Sequence, residues 1–578
     1  MAHIHKKMKK GRPYYYIREI RRVNGQPKVI SQIYLGSAER IAKTYEQRSQ
    51  CERPVKVRVE ALGALLVAHE LEKEFNTIGI VDSIVPRARN EKGPSIGEYF
   101  FYAWANRMID PKSKHALEHW YKATAVQHVR PISLEELTSM RYWQKWDRVS
   151  SEDVDKIGQA FFEKVWASQQ LPPECVLFDT TNIFSYLSSV TDSDLCQRGR
   201  NKDSKHHLRQ VGLGLLVDRK TEVPLFYKIY PGNQHDSKLF HRVIDEMFGV
   251  LCCFNQTKQK LTVVFDKGMN SEDNIDFIDE HNRIHFITTY SPYFIEELAE
   301  TSLDHFHPVD IEKNRILREE GREEDQLIAY RASAKLWGCQ RTVVITYNPK
   351  SYRKQALTLS RKLDTVREQL LEFRKKYREK EPHWRSKDVV LRRYERLCER
   401  LHIGSQYYQI EFASGAELSF RKNTYEIQKS QKLFGRNVIV TDNGDWTTAQ
   451  IVQTSLDRNL VERAFRTGKD GRHVALRPFF HWTDSKIRCQ LLTCVISLTM
   501  SRILEQRLKT AGIVTDRDYS SSKAIIEQMH ALHSVLYYLP QRRNAERTIE
   551  DPTELQAKVL KLFGLEISNG GVLRQLNA

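Results

Sequence analysis

The sequence predicts an α/β fold in which buried strands and amphipathic helices alternate through the middle of the chain. Two mostly apolar runs, 176–178 and 261–265, each end in a carboxylate, Asp179 and Asp266. A continuous apolar run bounded by polar residues is typical of a strand buried on both faces. At 578 residues the chain is long enough for several domains and more than one core. We therefore expect rigid strands that hold two acidic side chains where a core meets solvent.

The chain is strongly basic, with 91 Lys and Arg against 73 Asp and Glu and a formal charge of +18. This balance favours a polyanionic partner, either nucleic acid or an anionic membrane surface. A soluble protein that is basic without such a partner is the alternative. The basic N-terminus has no following apolar segment of the kind found in a secretory signal. The most apolar stretch, 491–500, is too short to span a bilayer, so we expect a nucleic-acid partner and no membrane.

The nine cysteines are scattered along the chain and form no C-x-x-C pair. We therefore expect no structural zinc. Their odd number and lack of pattern are typical of reduced thiols in a cytosolic compartment.

The N-terminal segment predicts a basic β-hairpin. Asn24-Gly25 separates two β-rich runs, 14–20 and 28–35, and Asn-Gly between such runs is a strong hairpin signal. A basic hairpin with tyrosines can lie along a phosphate backbone. An ordinary capping hairpin with solvated charges is the alternative.

Strands and helices alternate from 171 to 300. An antiparallel pair at 211–217 and 225–230 follows the Asp179 strand, and the Asp266 strand comes later. Mixed strand order with an early antiparallel meander and a later β-α-β unit is typical of a ribonuclease H-like core.

An insertion then interrupts this core. Its apolar residues recur at steps of three and four, the spacing of a helix–helix seam, until Pro382 breaks the pattern and a second helix follows. Runs at 342–347 and 407–412 are predicted strands. The basic residues of the helical pair form either a solvated face or a DNA-contacting arm. The seam residues are Leu363, Val366, Leu370, Phe373 and Tyr377.

These patterns divide the chain into six predicted regions. They are a basic hairpin region (1–50), a helical DNA-binding region (51–170), the first part of the core (171–300), a β-rich insertion with a helical hairpin at 350–402 (301–437), the second part of the core (438–510) and a helical C-terminal tail (511–578).

A third carboxylate follows the insertion. Arg458, Glu462 and Lys469 share one face of a predicted helix. An Arg–Glu pair at i and i+4 is by itself usually a surface salt bridge worth little. It becomes specific only together with Asp179 and Asp266, as the third member of an acidic set.

These residues resemble the DDE transposases of bacterial insertion sequences, which belong to the ribonuclease H-like superfamily. One subgroup carries the signature Y-x2-R-x3-E-x6-K around its glutamate. Arg458, Glu462 and Lys469 match this spacing, although Ser455 stands at the tyrosine position. The blocks at 266–269, 231–236 and 476–488 also resemble family motifs, in the family's order. The resemblance covers about 174 to 500.

The resemblance implies a transposase that cleaves the ends of its insertion sequence by Mg²⁺-dependent hydrolysis and joins the 3′-OH ends to target DNA. Asp179, Asp266 and Glu462 would be the catalytic residues and the ligands of two Mg²⁺ ions, with Mn²⁺ as a substitute. The implied partners are double-stranded DNA, both transposon ends and target, and a second copy of the chain in a synaptic homodimer. The implied location is the cytoplasm of a prokaryote, at the nucleoid.

The resemblance also implies a set of DNA-binding residues. Cationic side chains beside the acids would grip phosphates, and an aromatic residue of the insertion would hold a base flipped from the duplex. For the tryptophan of this set, a place in the core is an equal alternative. The set comprises Arg458, Lys469, Arg466, Lys267 and Trp337. Three histidines, His206, His207 and His235, are metal ligands by type, but the carboxylates already suit Mg²⁺.

Two alternatives remain open. One is another ribonuclease H-like nuclease, against which the long insertion and the Arg458–Glu462–Lys469 helix argue. The other is a domesticated DNA-binding protein without catalysis, against which the presence of all three carboxylates argues.

Overall fold

The structure is a computed structural model, and the part of the chain that it describes forms two compact units. The first unit comprises Met1–Gly63, Ala123–Ala125 and Met529–Ala578, and the second comprises Ala64–Lys122 and Val126–Gln528. The described residues are 2–23, 26–49, 54–169, 173–188, 191–199, 201, 205–234, 240–246, 260–281, 283–413, 417–477, 481–514, 522–540, 542, 544–568 and 570–576.

Helices and strands have the following bounds. The helices are α1 (Ala38–Ser49), α2 (Gly63–Phe75), α3 (Thr77–Ile84), α4 (Ile96–Ile109), α5 (Leu117–Ala123), α6 (Val126–Val129), α7 (Ser139–Trp146), α8 (Ser151–Ser168), α9 (240–246), α10 (Glu272–Asp279), α11 (Glu296–Ala299), α12 (Glu312–Glu319), α13 (Pro349–Arg378), α14 (Lys387–Leu401), α15 (Thr424–Lys432), α16 (Thr448–Asp457), α17 (Asn459–Lys469), α18 (Asp484–Thr510), α19 (Ser522–His530) and α20 (Glu554–Leu562). The strands are β1 (Ala2–Lys9), β2 (Arg12–Val23), β3 (Gln26–Gly36), β4 (Lys56–Ala61), β5 (Cys175–Ser185), β6 (Gln197–Arg198), β7 (Arg209–Asp218), β8 (Pro224–Pro231), β9 (Leu261–Phe265), β10 (Ile284–Tyr290), β11 (His307–Pro308), β12 (Ile328–Leu336), β13 (Cys339–Tyr347), β14 (Tyr408–Ala413), β15 (Glu417–Lys422), β16 (Arg436–Thr441), β17 (His533–Tyr538), β18 (Glu546–Ile549), β19 (Leu565–Ser568) and β20 (Val572–Gln575).

The first unit begins with an antiparallel sheet of three strands, β1-β2-β3. Strands β2 and β3 confirm the predicted hairpin, although its turn, Asn24-Gly25, lies outside the described residues. Strand β1 was not predicted. It joins β2 through Lys10 and Gly11, whose φ angles are 50° and 74°. Two consecutive positive φ angles are typical of a tight hairpin turn whose twist matches that of the strands.

A second sheet in this unit corrects two expectations. Strand β17 pairs antiparallel with β4 and with β18, so 56–61 is a strand where helices were expected. The tail, which was predicted to be helical, does contain α19 and α20, but strands β17 to β20 alternate with them. The run 533–538 buries every second residue, and this period of two is the pattern of a strand with one face in a core.

The second unit is built on a large mixed sheet. Its strand order is β11-β12-β13-β16-β10-β9-β5-β7-β6, and β8 pairs with β7. Strands β5, β9 and β10 run parallel to one another, and their neighbours are antiparallel. Strand β9 is buried along its whole length, as expected for a strand with both faces covered. The sheet therefore holds the ends of β5 and β9 rigidly.

Helix α18 forms the helical core of this unit, where it packs against α4, α8 and β8. By length and composition it is apolar enough to cross a membrane, but 94% of its most apolar window is buried inside the fold. A helix that is apolar all round is typical of a protein core as well as of a membrane span. Its burial here gives it the first of these roles.

Helices α13 and α14 form the helical pair that the heptad spacing predicts. All five seam residues are buried and share a core with Trp384, Tyr394 and Leu397. Strands β14 and β15 pack beside them as a separate two-stranded sheet. Strands β12 and β13, predicted to belong to the insertion, extend the large sheet next to β16. The six region boundaries themselves stay predictions.

Candidate active site

Strand pairing places Asp179 and Asp266 at the same end of two neighbouring strands. The register of the parallel strands β5 and β9 matches Leu177 with Val264, and each aspartate lies two residues further along its chain. Neighbouring strands lie about 4.8 Å apart, and residues level in a parallel pair point to the same face. Asp179 is 5% exposed, which is low for a carboxylate and keeps its position well defined.

Helix α17 presents the third carboxylate. Val461, Ala464 and Phe465 are buried and fix one face of the helix against the fold. Arg458 is the residue at which α16 ends and α17 begins, and its backbone stays in the right-handed helical region. It keeps the predicted i, i+4 relation to Glu462. Its guanidinium lies 3.5 Å from Glu462 and 3.4 Å from Asp266, so one cation links two of the three acids.

A cavity of about 570 Å³ lies between β5 and α17. Asp179 and Glu462 line it together, and Asp266 is not part of its lining. Cationic side chains also line this cavity, so carboxylates and cations lie around the same space. Its lining consists of Asp179, Thr180, Thr181, Asn182, Phe184, Asn201, Glu462, Phe465, Arg466, Lys469, Asp470 and Arg477.

Lys469 is held in this cavity by a contact that the sequence did not predict. Its Nζ donates a hydrogen bond to the hydroxyl of Thr181. Thr181 lies two residues after Asp179, so both side chains point to the same face of β5. The alternation of side chains along a strand was therefore the sequence pattern that could have predicted a place for Thr181 beside Asp179. Asn201 and Arg477 also line the cavity. Arg477 lies in the 476–488 block that resembles a family motif, whereas no local pattern marks Asn201.

Two further contacts shape the electrostatics of the site. A hydrogen bond from the backbone N–H of Arg472 lowers the pKa of Asp470, and burial opposes this shift. Asp470 therefore stays ionised in the cavity beside Lys469. On the neighbouring strand, the hydroxyl of Thr289 lies 3.5 Å from a carboxylate oxygen of Asp266. The site thus places the ionised Asp470 beside the cations of α17.

The other predicted residues have different positions. Arg466 lines the cavity, and Lys267 is exposed directly after Asp266. Trp337 lies at the β12–β13 turn with a φ of 49°. Its ring packs edge-on against Tyr290 and Phe286, so it is partly buried in an aromatic cluster rather than in the cavity. Among the histidines, His206 and His207 are exposed, and His235 lies outside the described residues.

The donor chemistry of the site fits a hard divalent cation. Carboxylate oxygens are the ligands that Mg²⁺ prefers. Asp266 and Glu462 already share one positively charged group, the guanidinium of Arg458. Within the described ranges, no three His, Cys, Asp or Glu side chains are grouped closely enough to hold an ion. The residue types therefore fit the metal, while the side chains in this structure pair with cations of the protein.

Comparison with known proteins identifies the family. A search of curated proteins finds no match. Among solved structures, the cryo-EM structure of the piggyBac transposase synaptic complex with hairpin DNA is similar, with a TM-score of 0.35 and 9% identity, over 81% of this chain and 79% of that one. A likeness at that score carries no inference about this chain.

The family model described as transposase DDE domain matches residues 189–500, more than half of the chain. The matched range contains Asp266 and Glu462 and begins after Asp179. It confirms the predicted resemblance at the level of a DDE transposase, whereas the subgroup and the bacterial origin stay predictions. The chain belongs to the transposase DDE domain family.

Proposed function

We propose that this protein is a DNA transposase that cuts the ends of its own element and joins the resulting 3′-OH ends to target DNA. The observation that supports this most directly is the cavity between β5 and α17. There Asp179 and Glu462 face Lys469, Arg466 and Arg477. Carboxylates suited to a divalent cation thus lie beside cationic side chains suited to a phosphodiester. Phosphoryl transfer to and from DNA requires this combination.

Asp179, Asp266 and Glu462 would hold the divalent ions, with Mg²⁺ as the expected metal and Mn²⁺ as a substitute. When bound, such ions supply Lewis-acid catalysis at the phosphorus centre. The backbone would hold these carboxylates in place, because Asp179 lies on β5, Asp266 directly follows β9 and Glu462 lies on α17. This rigidity matters, because a misplacement of about 1 Å can slow a reaction roughly 10²-fold.

The cations of the cavity would bind and orient the DNA. Lys469 is positioned by Thr181, and Arg466 lies one turn away from Glu462 on the same helix. Arg458 now pairs with two acids whose side chains are 29% and 48% exposed. Ion pairs with this much exposure are worth about 1 kcal/mol or less. Arg458 is therefore able to exchange a carboxylate for a phosphate oxygen when DNA arrives.

Substitution of Asp179 tests the proposal. We expect Asp179→Ala to abolish cleavage of a duplex that carries the sequences flanking the gene, while binding of that duplex stays within about twofold. Asp273→Asn, which removes an exposed carboxylate near Asp266, is the matched control and should cleave normally. Cleavage by Asp179→Ala in Mg²⁺ would contradict the assignment of the site. A wild-type protein that cuts but forms no joined product would instead indicate a plain nuclease.

Lys469→Ala tests the role of the cations in a second way. It should weaken binding of the end duplex and reduce the dependence of the binding constant on salt, because one fewer counterion is released from the DNA. An unchanged salt slope would contradict a phosphate contact at Lys469. We propose double-stranded DNA, as element ends and target, and a second copy of the chain as the partners in this reaction.

A further inference from the structure

A turn far from the cavity in sequence makes a contact that the proposed reaction does not yet explain. Glu222 lies in the turn between β7 and β8 and adopts a φ of 60°. Left-handed backbone at a residue with a side chain is uncommon, and glycine occupies such positions without strain. The presence of a glutamate in this conformation indicates that its side chain makes a contact that offsets the strain of the backbone.

The carboxylate of Glu222 connects two helices. One oxygen accepts a hydrogen bond from Arg463 of α17. The other lies 3.6 Å from the guanidinium of Arg502 on α18. The side chain of Glu222 is only 18% exposed and that of Arg502 only 7%. Ion pairs that are shielded from water in this way are screened much less than surface pairs.

Arg502 completes a second link to the same helix. It donates one hydrogen bond to Glu505 at 2.9 Å and one to the hydroxyl of Thr467 at 3.4 Å. Thr467 lies four residues after Arg463, so the two contacts fall one helical turn apart on the same face of α17. Helix α17 is thus tied at two points to a pair formed by the turn residue Glu222 and the core helix α18.

The face of α17 that carries Arg463 lies beside the face that carries Glu462. Arg463 directly follows Glu462, and consecutive residues of a helix are about 100° apart around its axis. A contact that fixes Arg463 therefore fixes the rotation of the helix and the direction in which Glu462 points. A side chain reaches about 5–6 Å from the helix axis, so a rotation of roughly 10° moves the Glu462 carboxylate by about 1 Å. A shift of that size is expected to slow catalysis on the order of 10²-fold.

We infer that Glu222 is a positioning residue, which sets the rotation of α17 through Arg463 and so aims Glu462 at the metal-binding site. The expected effect on cleavage rests on the proposed function. The expected effect on the hydrogen exchange of α17 rests on the structure alone. Among the described residues, the side chain of Glu222 pairs with Arg463 and Arg502, and it acts on Glu462 through them.

The left-handed φ makes a sharp test possible. Glu222→Gly relaxes the backbone, which favours folding, and removes the carboxylate, which opposes it, so the melting temperature should change little. The backbone amides of α17 should exchange hydrogen faster than in the wild type. Cleavage at saturating DNA should drop on the order of 10²-fold, while binding of DNA without divalent ions stays unchanged. The substrates are the gene-flanking duplex in Mg²⁺ and supercoiled plasmid in Mn²⁺.

Lys380→Gly is the matched control, because Lys380 has a φ of 51° and lies at the exposed end of α13. It should leave α17 exchange and cleavage at wild-type values. Arg463→Gln is the second variant, since its half-exposed side chain (49%) makes unfolding an unexpected outcome. It should reproduce the effect of Glu222→Gly, and the double variant should be no worse than the more severe single one.

The outcomes distinguish a failure of the positioning role of Glu222 from a failure of the proposed transposase function. Wild-type exchange of α17 and wild-type cleavage in both Glu222→Gly and Arg463→Gln would overturn the positioning role. If Glu222→Gly melts far below the wild type, Arg463→Gln alone decides, by the same two measurements. If the wild-type protein cuts neither substrate, the proposed function fails, and the exchange of α17 amides then decides whether Glu222 sets the order of that helix.

Discussion

His473 is expected to make the protein sensitive to mild acid. It lies in the turn just after α17 and is 5% exposed. Among the described residues its Nδ1 has no hydrogen-bond partner, and its Nε2 is 3.5 Å from the hydroxyl of Ser522. Burial is the main cause that lowers its pKa, and together with the nearby cations Lys523 and Arg502 it brings the pKa to about 4. The folded protein therefore holds this imidazole neutral at pH values where an exposed histidine takes up a proton.

The sign and size of the effect follow from proton linkage. In the unfolded chain the pKa of this histidine is the ordinary value of about 6.5, so between pH 6.5 and 4 the unfolded state binds more protons. Stability is then fully present above pH 6.5 and is lost as the pH falls toward 4. Between pH 7 and pH 4.5 the loss assigned to this group is about 2 kcal/mol. For a cooperative unit of several hundred residues, this lowers the melting temperature by roughly 2 °C.

Melting curves of the wild type and of His473→Gln from pH 7.5 to 4.5 measure this contribution. Glutamine does not titrate, so the variant should lose less stability on the acid side and the two curves should diverge by about 2 °C at pH 4.5. His115→Gln, at an exposed histidine, is the control and should follow the wild type. Parallel curves for the wild type and His473→Gln over the whole range would refute the reasoning.

Three other substitutions test contacts seen in the structure. Thr181→Ser should retain cleavage and Thr181→Val should lose it, because only serine keeps the hydroxyl that holds Lys469; equal rates would contradict this. Leu370→Ala, at a fully buried position, should destabilise the helical pair α13–α14 by about 2–5 kcal/mol, and unchanged amide exchange there would contradict it. Asp484→Ala should speed amide exchange at 193–195, where its carboxylate accepts two backbone N–H bonds; wild-type protection would show that these bonds do not hold the loop.

The sequence singled out three candidate acids because each follows a strong local pattern. Asp179 and Asp266 end apolar runs, and Glu462 has cations at helical spacing on its own helix. Their common neighbourhood was predicted from the family resemblance. In the structure the strand register relates Asp179 to Asp266, and the cavity joins Asp179 to Glu462. Arg458 links Asp266 to Glu462. The sequence did not indicate that Arg458 pairs with two of the acids, because one of those pairs joins different elements.

Other features had no local signal. Glu222 and Arg463 are 241 residues apart, and an acidic residue in a surface turn resembles any solvated charge. Strand β17 lies in the tail that was predicted to be helical, because a run of six residues with several apolar side chains fits the period of a helix as well as that of a strand. Pairing with β4, more than 450 positions away, decided its conformation. Tertiary pairing of this kind overrides local propensity in short segments.

The long insertion is compatible with a rigid site because of where the chain leaves and re-enters the sheet. Asp266 and Glu462 are 196 residues apart, yet the chain departs at β10 and returns at β16, which pair directly from Ile287 with Thr441 to Tyr290 with Val438. The position of Glu462 therefore depends on β16, α16 and α17 and is independent of the length between the two strands. Loop closure becomes less favourable only slowly as a loop lengthens, and here strands β12 and β13 continue the same sheet. The insertion can thus carry a separate helical pair without displacing the third acid from the first two.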